Sequence, residues 1–342
     1  MADRYLPGGW VNAALWYDDP APFIVAVGGR GTGKTYGALL ELLKRKERFL
    51  YMRRKQDQID LAKQPAFNPF GPLNSDEGAN IITAPLGKNS CGFYHHHLEA
   101  DKVVLDGEPV GVGVALSTVG TVRGINSLDK TVLLFDEFIP ERSERRTIKN
   151  EGEAFLNAYE TFNRNRELLG ERPLKAILLS NTNGLNSDIL EALGIMGRLE
   201  KVVAKEQTYS SNGLVAIYSY PDSPVSERKS KTVLYNLKNG DFEKMALKNT
   251  FPDEDFAEVE SRPLKEYQPL ATIAGLVLWK HKNGREYYVT EGTTAPREYR
   301  MNEVDKAAFC HRYAAAEGAR LYRRLAFSSA TVKIRWCRIW GV

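Results

Sequence analysis

The sequence predicts an α/β fold in which a mainly parallel sheet forms the first and larger part of the chain. Five apolar segments with the length of strands alternate with helical patterns, and this alternation favours parallel pairing. A glycine-rich loop follows the first strand, and two acidic residues end the third. Because ligands bind at the carboxyl ends of strands in open α/β sheets, both features point to one edge. The strand candidates are 23–27, 49–52, 131–135, 174–179 and 214–220.

The loop is the segment Gly28 to Thr35, which fits the phosphate-binding pattern G-x-x-x-x-G-K-[ST]. An apolar strand precedes it, and residues 36–48 carry the apolar stripe of a helix. Glycines let the backbone wrap a phosphate, and amides at a helix N-terminus point at the anion. A chance glycine-rich turn is the alternative, and the flanking strand and helix argue against it. The residues assigned to nucleotide binding are Gly28, Gly29, Arg30, Gly31, Thr32, Gly33, Lys34 and Thr35.

Catalytic roles follow from the loop and from the strand that ends in acids. Lys34 is expected to reach the β- and γ-phosphates, and the Thr35 hydroxyl to hold Mg²⁺. Asp136 would hold the same Mg²⁺ through water, and Glu137 would orient and deprotonate the attacking water. A glutamate beside the aspartate favours hydrolysis over transfer to a bound acceptor. A nucleoside triphosphate and Mg²⁺ are therefore the expected substrate and cofactor.

Two further positions suit the same site. Asn181 follows the fourth strand and could sense the γ-phosphate or the lytic water. A helix predicted over 151–166 ends in Arg164-Asn165-Arg166, where an arginine could stabilise phosphate charge in a neighbouring subunit or merely complement the helix dipole. A strand between the glycine loop and the acid strand, together with the glutamate, places the domain in the additional-strand branch of P-loop NTPases, which includes RecA-like motors.

The composition limits the class of protein. The 342 residues suffice for about two domains, and 43% hydrophobic content can form a core. Three cysteines are too few for a disulfide framework, which favours a reducing compartment. No apolar signal core or run near ~18 residues occurs, so a soluble intracellular protein without a membrane segment is expected. The net charge of +4 is uninformative, but the chain from Arg262 onward has 15 Lys/Arg against 7 Asp/Glu, which suits DNA or RNA phosphates.

Three clusters allow two interpretations each. The cations Arg53, Arg54 and Lys55 could face DNA phosphates or form a solvated strand end. The aromatic residues Trp10, Trp16 and Tyr17 could flank an adenine ring, although packing at the domain edge is favoured. The basic and aromatic tail 333–340 could stack bases or form a terminal strand.

Four secondary-structure predictions concern the remaining chain. Residues 64–90 are predicted to be a loop, and a β-hairpin is predicted to turn at Asp106-Gly107. A second hairpin is expected around residues 280–285, and one helix over 303–327. His95 to His97 lie on a predicted strand, where neighbours point to opposite faces, so no metal site is assigned.

In several motifs the chain resembles the DNA-packaging ATPases of phi29-like small tailed bacteriophages. These motifs recur in the family's order and roughly its spacing across residues 1–230. The combination of Tyr-x-Arg-Arg with Arg-Asn-Arg-Glu is more specific than the phosphate loop and acid strand, which many motors share. The matching segments are Gly28 to Thr35, Tyr51 to Arg54, Val132 to Phe138, Arg164 to Glu167, Leu179 to Asn181 and Ser226 to Lys229.

The resemblance implies a homopentameric ring at the portal of an empty capsid, pumping double-stranded DNA inward in the host cytoplasm. A structural RNA is a further candidate partner. By position, the resemblance makes Lys34 and Thr35 the phosphate and Mg²⁺ ligands and Glu137 the catalytic carboxylate. It makes Arg164 the arginine that reaches the neighbour's nucleotide.

The resemblance also implies DNA contacts, on looser alignment. Arg123 falls where the family has a basic residue in a loop near the channel, and Arg53, Arg54 and Lys55 fall near positions that line it. The family's C-terminal domain resembles an RNase H-like nuclease fold that has lost its active site. A two-metal nuclease needs clustered carboxylates, and Asp305 is the sole aspartate between residues 261 and 342, so binding rather than cleavage is expected there.

The predicted organisation is an ATPase domain over 1–225, a linker module over 226–256 and a basic α+β domain over 257–342. An ATP-driven DNA translocase is the leading functional hypothesis. The alternatives are a helicase or nuclease-bearing terminase, disfavoured because helicase motifs and nuclease acids are missing, and a nucleotide-gated assembly protein, disfavoured by Glu137.

Overall fold

The chain folds into two units in the computed structural model, which describes residues 3–121, 127–141, 144, 148–221, 223–233, 235, 247 and 250–341. The first unit comprises Met1–Ile195 and Lys201–Phe251, and the second comprises Met196–Glu200 and Pro252–Val342. Among the helices of the described ranges, none is both long enough and apolar enough to cross a bilayer.

A single large sheet forms the centre of the first unit. Its strands are β1 (Phe23–Gly28), β2 (Phe49–Arg53), β3 (Ile81–Pro85), β4 (Ser90–Glu99), β5 (Lys102–Leu105), β6 (Gly111–Ala115), β7 (Val132–Asp136), β8 (Lys175–Ser180), β9 (Tyr209–Ser211) and β10 (Val215–Tyr220). Their order is β3-β4-β6-β2-β7-β8-β1-β10-β9, with β5 paired to β4. The strands from β6 to β10 in this order are parallel, and antiparallel strands complete both edges.

The order of the central strands confirms the predicted class. β8 pairs with β1 on one side and with β7 on the other. It therefore separates the strand before the glycine loop from the strand that ends in acids. This is the additional-strand arrangement, and it brings the carboxyl ends of β1, β8 and β7 side by side at one edge of the sheet.

Helices cover the sheet and bury its apolar strands. They are α1 (Ala14–Asp18), α2 (Lys34–Lys44), α3 (Gln56–Ala62), α4 (Gly71–Glu77), α5 (Glu151–Asn163), α6 (Asp188–Ala192) and α8 (Pro224–Lys229), whereas α7 (Met196–Ala204) begins in the second unit and ends in the first. Strands β7 and β10 are buried throughout, as parallel strands covered on both faces are. The predicted stripe of α2 is confirmed, because Ala38, Leu39 and Leu42 are fully buried.

Two local predictions for the first unit are wrong. Residues 64–90 contain a short 3-10 turn, α4 and β3 rather than only a loop. The hairpin turns at Ala100 and Asp101, both with positive φ (46° and 63°), and joins β4 to β5. The Asp106-Gly107 pair instead leads to β6, which pairs in parallel with β2. Asp-Gly is the usual signature of a tight hairpin turn, and here an Ala-Asp pair occupies that conformation.

The second unit has its own five-stranded sheet. Its strands are β11 (Tyr267–Ile273), β12 (Leu276–His281), β13 (Tyr287–Glu291), β14 (Glu298–Tyr299) and β15 (Leu325–Phe327), in the order β14-β11-β12-β13-β15. β11, β12 and β13 form an antiparallel meander, which confirms the predicted hairpin around 280–285. Its helices are α9 (Asp253–Phe256), α10 (Glu303–Arg312), α11 (Ala314–Arg320) and α12 (Ala330–Trp340).

The end of the chain differs from the prediction. The single helix over 303–327 is wrong, because the backbone leaves helical geometry at Tyr313 and Arg323 before β15 begins. The tail is not a strand but helix α12, which is capped by the Ser329 hydroxyl and ended by Gly341 at φ 73°. Trp336 is fully buried in the core of this unit, so it cannot stack on a base.

Candidate active site

The predicted loop residues, the two acids and Asn181 meet at the carboxyl ends of β1, β7 and β8. A cavity of about 400 Å³ lies there. Its lining comes from the glycine loop, from Asp136 and Glu137 at the end of β7, and from Ser180 and Asn181 at the end of β8. Sheet topology thus collects residues from three separate stretches of the chain.

The glycine loop has the conformation that phosphate binding requires. Gly31 and Gly33 have φ of 66° and 87°, a region that residues with a Cβ rarely adopt. The Thr32 hydroxyl donates to the Gly29 carbonyl (3.1 Å), which closes the loop on itself. Helix α2 begins directly after the loop, so its free amides and dipole face the cavity.

Lys34 is buried beneath the loop. Its Nζ donates to the carbonyls of Gly28 (2.9 Å) and Gly29 (2.8 Å) and to Oδ1 of Asn181 (3.0 Å). Burial lowers the pKa of Lys34 to about 7, and the nearby Asp136 carboxylate opposes this shift. The contact places Asn181 within reach of the same phosphates as the lysine.

Thr35 and Asp136 form an oxygen-rich pair suited to Mg²⁺. The Thr35 hydroxyl donates to Oδ1 of Asp136 (2.9 Å), while Oδ2 accepts from the Tyr51 hydroxyl (3.1 Å) and from Arg53 (3.0 Å). Hydroxyl and carboxylate oxygens are the ligands that Mg²⁺ prefers. The pair therefore fits the expected cofactor.

Glu137 has an unusual backbone. Its φ of 56° lies in the left-handed region, which costs a non-glycine residue about 1–3 kcal/mol and often marks a functional site. Its Oε2 accepts a hydrogen bond from Arg53 (2.5 Å), and its side chain, which lines the cavity, is 55% exposed. A carboxylate in this position can receive a proton from a water molecule.

The Ser180 hydroxyl is evidence that the cavity binds a polar ligand. Ser180 lines it and is buried, yet its hydroxyl has no hydrogen-bond partner in the described part of the chain. A buried hydroxyl without a partner is costly, and phosphate or its bound water would supply one.

The neighbouring cations have structural partners, which corrects the DNA-channel prediction for Arg54. The Arg54 side chain is 2% exposed and donates to both oxygens of Glu151 (2.6 and 3.0 Å). It therefore cannot contact a DNA phosphate. Lys55 donates to Glu144 (2.7 Å), and Arg53 pairs with the two acids of the site. Arg53 therefore lies at the candidate active site, and its predicted contact with DNA stays a prediction.

The two arginines after α5 have different environments. Arg166 is buried, and its Nη2 donates to the carbonyls of Ser127 (2.7 Å), Leu128 (3.2 Å) and Lys130 (2.5 Å). Arg164 is exposed. Arg166 thus contacts the chain just before β7, whereas the cavity lies at Asp136, where β7 ends. The six extended residues from Lys130 to Asp136 separate the two places by roughly 20 Å. Arg164 therefore lies near the amino ends of the strands, away from its own cavity.

The remaining predicted residues lie apart from the cavity or beside it. Trp16 and Tyr17 are buried and bond to Tyr220 and to the carbonyl of Ala38, which confirms that they pack the domain. Trp10, 45% exposed, packs against Gly33 of the loop. Arg123 lies outside the described residues.

Sequence reasoning missed two participants. Tyr51 bonds to Asp136 from the neighbouring strand β2, and only the strand order reveals this. Lys229 of α8 donates to the carbonyl of Arg30 (2.6 Å) in the glycine loop. The only indication in the sequence that Lys229 belongs to the site was the Ser226 to Lys229 motif, which the chain shares with the packaging family.

The fold and the site together define a P-loop NTPase of the additional-strand type. The family described as Podovirus DNA encapsidation protein (Gp16) matches residues 12–292. The chain belongs to this family, which confirms the resemblance found in the sequence.

Individual relatives agree with this membership. The DNA packaging protein of Bacillus phage B103 is 26% identical over 254 residues, which cover 72% of this chain and 69% of that protein. The DNA packaging protein of Bacillus phage phi29 is 27% identical over 256 residues, with coverage of 72% and 67%.

Two solved structures share the fold over nearly the whole chain. A chain of the bacteriophage Phi-29 viral genome packaging motor assembly superposes with a TM-score of 0.66 at 17% identity and covers 99% of both chains. A chain of the Phi-28 gp11 DNA packaging motor superposes with a TM-score of 0.61 at 20% identity and covers 96% of both. The shared fold thus includes the second unit.

Proposed function

We propose that this chain is an ATPase that uses ATP hydrolysis to drive double-stranded DNA into a preformed capsid. The observation that carries the proposal is the placement of Glu137 beside Asp136 and Lys34 at a complete phosphate loop. Membership of a DNA encapsidation family, with relatives named DNA packaging proteins, supports the choice of DNA as the moved substrate.

Binding of the triphosphate rests on the loop and Lys34. The lysine exchanges the carbonyls of Gly28 and Gly29 for phosphate oxygens, and the loop amides donate to the phosphates. Thr35 and Asp136 would hold Mg²⁺, and the ion would supply positive charge to neutralise the phosphates. Asn181, already in contact with Lys34, orients the γ-phosphate or the water.

Hydrolysis rests on Glu137 as general base. Its carboxylate accepts a proton from the attacking water, and this role contributes typically about 10²–10⁴ in rate. Arg53 orients that carboxylate, because it donates to Glu137 and Asp136 at once.

An arginine from a second subunit completes each site. Arg164 is exposed near the sheet edge opposite its own cavity, so it can serve only a neighbour's nucleotide. A ring of copies satisfies this requirement at every interface, and a homopentamer docked transiently at the capsid portal is the assembly we propose. Such an arginine is worth about 10³–10⁵ in rate where it has been measured.

The second unit is proposed to contact nucleic acid or the portal. Several acids of this unit are paired internally, as Arg320 with Glu258 and Arg262 with Glu286 show. Its remaining exposed cations suit a phosphate backbone, whether of the DNA or of a structural RNA. They are Lys265, Lys282, Arg285, Arg297, Arg300, Arg312, Arg323 and Arg324. The domain limits 1–225, 226–256 and 257–342 are the proposed functional division.

The steady-state ATPase rate with and without linear duplex DNA tests the proposal. We expect DNA to stimulate the wild-type rate and Glu137→Gln to bind ATP without hydrolysing it. Lys34→Ala should lose nucleotide binding. Hydrolysis that persists in Glu137→Gln would refute the assignment of the base. Packaging of DNA into empty capsids by wild type alone would complete the test.

A further inference from the structure

The turn after α5 exposes two large apolar side chains. Leu168 and Leu169 are 84% and 70% exposed and lie on the 3-10 turn Arg166–Leu169. Adjacent leucines this exposed are unusual on a soluble surface and often mark a contact site. They stand four and five residues after Arg164.

The turn that presents these leucines is held firmly. Buried Arg166 donates to three backbone carbonyls before β7. Asn163 donates to Glu167 (2.7 Å) and accepts from the amide of Leu174 (2.8 Å). Arg164 and Asn165 both have positive φ, 49° and 56°. A strained turn fixed by buried polar contacts presents its side chains in one arrangement.

The charges around the turn argue against nucleic acid as the partner. Glu160, Glu167 and Glu171 are all exposed close to the leucines. Exposed Arg164 and Arg172 offset two of these charges, so the turn has no cationic surplus to attract a nucleic acid, and the leucines contribute nothing to phosphate binding. A protein surface with an apolar patch is the partner that fits.

We propose that Leu168 and Leu169 dock this turn onto a second copy of the chain, beside that copy's nucleotide cavity. The inference rests on the proposed function, because Arg164 must reach the neighbour's phosphates. Leu168 and Leu169 lie on a 3-10 turn that rises only about 2 Å per residue, so an arginine at those phosphates keeps both leucines within roughly 10 Å of its own backbone and close to the glycine loop. Exposed apolar side chains lie there, namely Leu6 and Trp10, and Trp10 packs directly on Gly33. These two residues form the seat for the leucines.

Self-association tests the proposal without requiring hydrolysis. Sedimentation velocity with Mg²⁺ and a slowly hydrolysed ATP analogue measures the dissociation constant of wild type, of Leu168→Ser/Leu169→Ser and of Leu214→Ser. Leu214 is a matched control, since it is 66% exposed in the same unit. We expect at least a tenfold weakening in the double variant and less than a twofold change in the control. Equal association of double variant and wild type, or a wild type that stays monomeric, would overturn the proposal.

The seat is tested by combining Trp10→Ala with Leu168→Ser/Leu169→Ser. If the two surfaces touch, the combined variant should have nearly the same dissociation constant for self-association as the leucine variant alone. Fully additive effects would show that the leucines bind elsewhere. If wild type associates through the leucines but does not hydrolyse ATP, the proposed function fails while this contact stands.

A mixing experiment gives the direction of the contact. Glu137→Gln chains can donate Arg164 but cannot hydrolyse, whereas Arg164→Ala chains keep a complete cavity. Mixing them should restore turnover at mixed interfaces. Adding Leu168→Ser/Leu169→Ser to the Glu137→Gln chain should remove this turnover at least tenfold, and adding it to the Arg164→Ala chain should lower it less than threefold. The proposal would be overturned if the leucine substitutions lowered turnover equally in the Glu137→Gln chain and in the Arg164→Ala chain.

Discussion

The Arg53 guanidinium lies 2.5 Å from the Glu137 carboxylate, and the two residues stand at the carboxyl ends of the paired strands β2 and β7. The same guanidinium donates to Asp136 (3.0 Å). One cation therefore holds both acids of the site, and it fixes the glutamate whose backbone is in a strained conformation.

Arg53→Ala should lower kcat about tenfold or more with little change in the KM for ATP, because Glu137, the proposed general base, loses its orienting partner while the phosphate contacts remain. Arg53→Lys should recover part of the loss, since it restores the charge without the forked geometry. Steady-state kinetics of the DNA-stimulated reaction measure both. A rise in KM at constant kcat would assign Arg53 to nucleotide binding instead.

Arg54→Ala should instead destabilise the protein. It leaves Glu151 buried without its partner, and breaking such a pair costs about 3–5 kcal/mol of the free energy of unfolding. The apolar replacement Arg54→Met/Glu151→Met should recover most of this loss. Lys55→Ala is the control, because its partly exposed pair with Glu144 is worth about 1 kcal/mol or less. Urea unfolding of wild type and of these three variants measures the differences. An unchanged urea midpoint for Arg54→Ala would contradict the structural role of Arg54.

Arg164→Ala should affect catalysis and Arg166→Ala should affect stability, although the two residues are only two positions apart in the chain. Arg164→Ala should unfold like wild type, within about 0.5 kcal/mol, yet lose hydrolysis. Arg166→Ala should lose on the order of 3 kcal/mol of stability, because its carbonyl partners lose a charged donor. Thermal unfolding together with ATPase assays checks the pair. Full activity in pure Arg164→Ala would exclude the role of this arginine in a neighbouring site.

Binding of ATP should take up a proton above neutral pH. Burial lowers the pKa of Lys34 to about 7 without ligand, whereas phosphate contacts favour the charged amine. Between pH 7 and the ordinary lysine value near 10.5, the free protein has lost a proton that the complex holds, so affinity falls as pH rises. At pH 6 the lysine is charged in both states and no uptake by this group occurs. Calorimetry in buffers of different ionisation enthalpy measures the uptake; buffer-independent heats at pH 8 would contradict it.

The phosphate loop was predictable because its chemistry is contiguous. Glycines, lysine and threonine stand in eight consecutive residues between a strand and a helix, so local conformation alone builds the binding surface. Asp136, Glu137 and Asn181 were predictable for a related reason. Each directly follows an apolar strand, and parallel strands end at a common edge.

The roles of Arg53 and Arg54 were not predictable in this way. The sequence shows three cations in a row, and successive residues at a strand end point to opposite sides. Which carboxylate each cation meets depends on the neighbours of β2 in the sheet. Arg53 meets Glu137 at a separation of 84 residues, and Arg54 meets Glu151 at 97.

The tail shows the same limit in secondary structure. Alternating cations and aromatics in 333–340 agree with a strand or with a helix of spacing three to four. The tertiary core decided for the helix, because Val332, Trp336 and Ile339 lie on one helical face and are buried together.

The sequence by itself determined the class of fold, the nucleotide loop and the acids, since these depend on short-range patterns and on the rule that parallel strands share an edge. The tertiary structure alone decided which arginine contacts Glu137, which ones are buried, and which one is exposed away from the cavity. Those assignments depend on strand order and burial, which bring residues together across long separations in the chain.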